Sequence, residues 1–71
     1  MTIQETQTYQ QAILSNISTE TPKDLFDLME GLEAWADWEA AIVCKYMVDE
    51  GFITAHSKSL YGEPLYIKSC L

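Results

Sequence analysis

The chain has 71 residues, eleven acidic side chains against four basic ones, a net charge of −7 and 48% apolar residues. That length gives one small domain with a modest core and no room for a multi-layer active site. All four basic residues are lysines (Lys23, Lys45, Lys58, Lys68), so the side chain that most often clamps phosphate or reads guanine is missing.

The first predicted element is an amphipathic helix over about residues 4–16. Thr2-Ile3-Gln4-Glu5 has capping-box form, and Tyr9, Ile13 and Ile17 recur every four residues with Ala12 and Leu14 beside them. The second helix is predicted over 22–30, with Thr21 as N-cap and Pro22 at the first helical position. Leu25, Leu28, Met29 and Leu32 share one side of it, and Asp24, Asp27, Glu30 and Glu33 the other. Gly31 either ends this helix near Glu30 or weakens a helix that runs on to Trp35; the stop is the preferred reading.

Asp37 is a candidate cap for a third helix over 37–50. Its apolar residues, from Ala40 to Val48, leave few polar positions, so a central, well-buried helix is expected. Gly51 falls at C′ of a Schellman ending, with Phe52 poised to pack back on Met47. From there the period changes to two, and Phe52–Lys68 is a predicted β-hairpin with a polar loop, Ser57 to Pro64. Ile53 and Ala55 are expected to face the helices with Leu65 and Ile67, leaving Phe52, Thr54 and Tyr66 on the other face, and Pro64 to open an edge strand. The fold class is therefore α+β, a three-helix core followed by a C-terminal hairpin in a single domain, 1–71.

This order resembles a winged helix-turn-helix domain, most specifically in Thr21–Met29, similar to the first helix of a helix-turn-helix unit, and in Tyr46–Ile53, similar to a recognition helix entering its wing. The resemblance implies that the helix from Trp38 to Glu50 lies in the major groove and that the wing, Ser57–Gly62, touches the DNA backbone or minor groove. The charges depart from that pattern. Asp37, Glu39, Asp49 and Glu50 stand against Lys45 alone, while phosphate neutralisation supplies most of the affinity for DNA.

Residues 1–51 hold ten acids and two lysines, a net −8, and the remainder is +1. Asp24, Asp27 and Glu30 stand at helical spacing, but nothing on an exposed helix divides acid and base roles among them and no calcium-loop spacing occurs, so a solvated or partner-facing acidic face is expected and no metal or cofactor. Cys44 and Cys70 are expected as reduced thiols, Cys44 as a small buried hydrophobe, and a nucleophile pair or metal site with His56 would need the hairpin to fold back on the third helix. Asn16-Ile17-Ser18 has the form of a glycosylation acceptor but is read as an accident of composition. Met1–Glu5 has no signal-peptide character and no apolar run reaches the roughly 20 residues of a membrane span, so a cytoplasmic protein with no membrane contact is expected.

Of Trp35 and Trp38, one is expected to anchor the core and one to contact a partner, as are Leu60 and Tyr61 at the hairpin tip. These features point to a small acidic protein-binding module without enzymatic activity, of a kind suited to a virus- or mobile-element-encoded inhibitor of a host nucleic-acid-binding protein, acting by occlusion or partial DNA mimicry. Its partner-binding residues are Asp24, Asp27, Glu30, Glu33, Trp35, Trp38, Leu60 and Tyr61. A DNA-binding regulator using Lys45, Lys58 and Lys68 is the alternative, and a subunit of a larger assembly a further one; homodimerisation is left open.

Overall fold

The computed structural model describes residues 2–69. Helix α1 (Ile3–Asn16) starts at the expected capping box: Thr2 Oγ1 accepts from the Glu5 amide at 3.1 Å, and Glu5 Oε1 accepts from the Thr2 amide at 3.2 Å. Tyr9 and Ile13 are its buried residues, one turn apart, and Ile17 packs against the same core.

Helix α2 is a single turn, Leu25–Leu28, rather than the 22–30 expected. Asp24, not Thr21, is its N-cap, with Oδ1 accepting from the Asp27 amide at 2.9 Å. Tertiary hydrogen bonding overrides the local start signal at Pro22. The Lys23 amide donates to Tyr66 O and the Tyr66 amide to Lys23 O, while the Lys68 amide donates to Ser18 O, so the chain before Asp24 is tied to the hairpin at Ser18 and Lys23, with a bend at 19–21 between them. The preferred stop holds in direction, since Gly31 has φ 98° beyond the helix, but the helix ends two residues before Glu30. Asn16 accounts for the early ending: its Nδ2 donates to both Leu28 O and Glu30 O at 2.9 Å, satisfying carbonyls that an ending helix leaves open.

Helix α3 runs Asp37–Asp49. Its N-cap is Ala36, without a side-chain cap bond, and Asp37 is the first helical residue, where its charge suits the helix dipole. The Ala36 amide is held instead by the Tyr9 hydroxyl, 3.2 Å away. Ala40, Val43, Cys44 and Met47 form one buried stripe. The remaining apolar girth is not enclosed, contrary to the central helix expected: α1, α2 and the hairpin are too few to surround it, and Trp38, Ile42 and Tyr46 stay 64%, 52% and 48% exposed. The helix ends in the predicted Schellman motif, the Phe52 amide donating to Met47 O at 2.9 Å and Gly51 to Val48 O at 3.1 Å, with Gly51 at φ 84°.

Strands β1 (Ile53–Lys58) and β2 (Pro64–Lys68) pair antiparallel, with Ala55 opposite Tyr66 and a register shift between Ala55 and Ser57. Directly opposed residues share a face, so Tyr66 points inward with Ile53, while Leu65 and Ile67 lie half-buried on the other side. This reverses the facing expected for β2 and leaves Ala55 exposed: alternation fixes each strand's faces only up to one residue of register, and the Lys23 bridge selects the other choice. Nor is β2 an edge strand, since β1 and the Ser18–Lys23 segment flank it; Pro64 is tolerated as its first residue. The resulting α+β core joins Tyr9 and Ile13, Leu28 and Met29, the α3 stripe, and Ile53 and Tyr66.

Candidate interaction surface

At about 100° per residue, Ala41, Lys45, Trp38, Asp49, Ile42 and Tyr46 fall in order across the outward arc of α3. That arc is mainly apolar. It is flanked by two grooves. One, of about 350 Å³, lies between α2, α3 and the hairpin and is lined by Leu25, Phe26, Trp38 and Ala41 with Asp37 and Glu63 on its rim. The other runs between α1 and α3 as two hollows that share Gln10 and Tyr46, extending to Thr6 and Ile42 at one end and to Leu14 and Phe52 at the other.

The two tryptophans differ in burial. Trp35 is half-buried against the core and meets Phe26 edge-on, with ring centroids 5.3 Å apart and planes at 71°. This is a favourable aromatic geometry that braces the α2–α3 loop. Trp38, three residues on, projects from the first turn of α3 into solvent. Leu60 and Tyr61 are fully exposed at the hairpin tip. The tip backbone beneath them is held by Ser59, whose Oγ accepts from the Tyr61 amide at 3.3 Å and the Glu63 amide at 3.2 Å.

The acidic residues do not form the single helical face that their spacing suggested. Asp24 is spent on the cap of α2, Asp27 sits in its one turn, and Glu30 and Glu33 lie in the loop that follows. The acids that adjoin the apolar arc belong to α3 and its end: Asp49 and Glu50 stand at the C-terminus, with no basic residue in the last turn. Negative charge there opposes the helix dipole, at about 0.3–1 kcal/mol each.

The lysines named for the DNA alternative are dispersed. Lys45 is on α3, whereas Lys58 and Lys68 close opposite ends of the hairpin ladder, Lys58 opposite Pro64 and Lys68 opposite Ile53. Five residues of strand separate those ends by about 16 Å, so the two cannot grip one phosphate.

Cys44 is fully buried in the core, and burial pushes its thiol up to about 12. His56 is exposed on β1 at the register shift, with Nδ1 3.0 Å from Ser57 Oγ. A buried protonated thiol and a solvent-facing imidazole form no nucleophile pair. Cys70 lies outside the described residues, and among those described no three His, Cys, Asp or Glu side chains converge as metal ligands. No described helix is long and apolar enough to cross a membrane.

No protein-family model matches the chain, and no curated protein or solved structure is significantly similar to it. Sequence reasoning gave Leu14, Phe26 and Phe52 no part in the site and missed Ile42 and Tyr46 as surface residues. The available signal was quantitative: a domain this small cannot cover a helix that is apolar over most of its circumference.

Proposed function

We propose that this chain is a non-enzymatic protein-binding module that acts by occluding a partner's surface, docking through the outward arc of α3. One observation carries the reading: the helix that a winged-helix DNA binder would lay in the major groove presents Trp38, Ile42 and Tyr46, all about half exposed or more, with Lys45 as its one basic residue. A large exposed apolar patch on a small acidic domain is characteristic of a protein interface. Aromatic residues at its centre suit the anchoring role they commonly take. The partner surface that complements it is apolar at the centre and basic at the rim, as on a nucleic-acid-binding protein. Occlusion is favoured over DNA mimicry because the acids of residues 24–33 are split between a cap, one helical turn and a loop.

Baits of the wild-type chain and of the Trp38→Asp/Ile42→Asp variant, offered the same nuclease-treated lysate, test this reading. Proteins retained by the first and lost from the second, with unchanged circular dichroism, are expected. Equal retention, or retention that depends on added nucleic acid, counts against it.

A further inference from the structure

Along the groove between α1 and α3, Thr6, Gln10 and Leu14 occupy successive turns of α1, while Ile42, Tyr46 and then Phe52 line the opposite wall. The two helices therefore run in the same sense and frame a valley about 12 Å long, the length of two helical turns. Leu14, Ile42, Tyr46 and Phe52 are each about half exposed, so the α3 wall and the Leu14 end of the α1 wall are apolar and open, while Thr6 and Gln10 make the rest of the α1 wall polar. The charges around this valley are unequal. Glu39, Asp49 and Glu50 on and after α3 stand against Lys45, and the α1 wall of Thr6, Gln10 and Leu14 supplies no charge. Asp49 and Glu50 also sit where the dipole of α3 disfavours them, next to Phe52 at one end of the valley.

We propose that this valley is the docking site for an amphipathic helix of a partner protein, which inserts apolar residues at i, i+3 or i+4, and i+7 and carries lysine or arginine on its flanks. The inference rests on the protein-binding reading above and names the chemistry of the partner. Two turns of length match helix-in-groove recognition, in which such a stripe fills an apolar channel between two helices. Cations at the flank would relieve the carboxylates that oppose the α3 dipole. A second copy of the chain is a poor occupant, because it brings a net charge of −7 to a rim that is already acidic.

The probe is a synthetic peptide of about 14 residues, long enough for the two contacting turns and their flanks, with leucines on one helical stripe and lysines elsewhere. It is titrated into the 15N-labelled chain, beside a scrambled peptide of the same composition. Amide shifts centred on Gln10, Leu14, Ile42, Tyr46 and Phe52 are expected, with the scrambled peptide binding at least roughly tenfold more weakly. Ile42→Glu and, on the other wall, Leu14→Glu should each lose binding although they make the protein more acidic; Ala55→Ser, exposed on β1 and outside both hollows, should not. Equal binding of the scrambled peptide, or unaffected binding by both wall variants, overturns the proposal. Shifts centred on Phe26 and Trp38 overturn it while leaving the protein-binding reading standing, and so does a dimer in sedimentation that buries Ile42 and Leu14. Shifts of the same amides on titrating duplex DNA into the chain without peptide defeat the protein-binding reading itself.

Discussion

Lys23 and Tyr66 exchange both main-chain hydrogen bonds, at 2.9 and 2.8 Å, and this one bridge ties the segment before α2 to the centre of the hairpin. It fixes where α2 can start and which face of β2 turns inward. Because the contact is made by main chain, Lys23→Ala should change stability by less than about 0.5 kcal/mol. Lys23→Pro removes the donor and should cost about 1–3 kcal/mol in urea unfolding. Similar values for the two variants would show that the bridge contributes nothing.

Asn16 performs a comparable task with a side chain, donating to Leu28 O and Glu30 O at 2.9 Å each. Asn16→Ala should destabilise by about 1–2 kcal/mol. Asn16→Asp should cost more, since a carboxylate has no donor for these two carbonyls. Thermal unfolding of the pair checks the order.

The Schellman ending makes Gly51 a backbone requirement. A Cβ there would meet no atom within 4 Å, so only the φ of 84° opposes substitution. Gly51→Ala should cost about 1–2 kcal/mol. For a domain of this size that corresponds to a Tm lower by roughly 4–15 °C. A Tm within a degree of wild type would contradict the assignment.

The core thiol sets an alkaline limit. Burial raises Cys44 from its ordinary 9.0 to about 12, and the Tyr66 hydroxyl also lies above its ordinary range, mainly through burial and secondarily through the nearby Cys44. The folded state thus keeps protons that the unfolded chain releases. This contribution to stability is complete below pH 9 and falls as pH rises from about 9 towards 12. Urea midpoints measured between pH 7 and 11 should decline above 9, with a shallower decline in Cys44→Ala. An identical slope in that variant would remove the thiol from the account.

Elements governed by local chemistry were legible in the sequence: the Thr2–Glu5 capping box, the four-residue repeat of Tyr9 and Ile13, and the Gly51–Phe52 ending. Each depends on neighbours within one or two turns of chain. What was hidden depends on contacts distant in sequence. Thr21-Pro22 is a sound local start for a helix, yet Lys23 is claimed by Tyr66, 43 positions later. Alternation in Leu65–Lys68 is compatible with either facing, and the pairing of Tyr66 with Ala55 on one side and Lys23 on the other decides between them. The same limit governed the site. One of the two tryptophans, Leu60 and Tyr61 were recognisable as surplus to a small core, but Ile42, Tyr46, Leu14 and Phe52 are brought together only by the packing of α1 against α3.

The central claim is that the outward arc of α3 meets protein and not nucleic acid. It is tested most directly by titrating the chain against fluorescently labelled duplex DNA and following anisotropy at low salt, the condition most lenient to charge-driven binding, and again near physiological salt. No binding at either salt is the predicted result, because Lys45, Lys58 and Lys68 are dispersed and the helix that would enter the groove is apolar and acidic. Micromolar binding that weakens steeply with salt would contradict the account and favour a DNA-binding regulator.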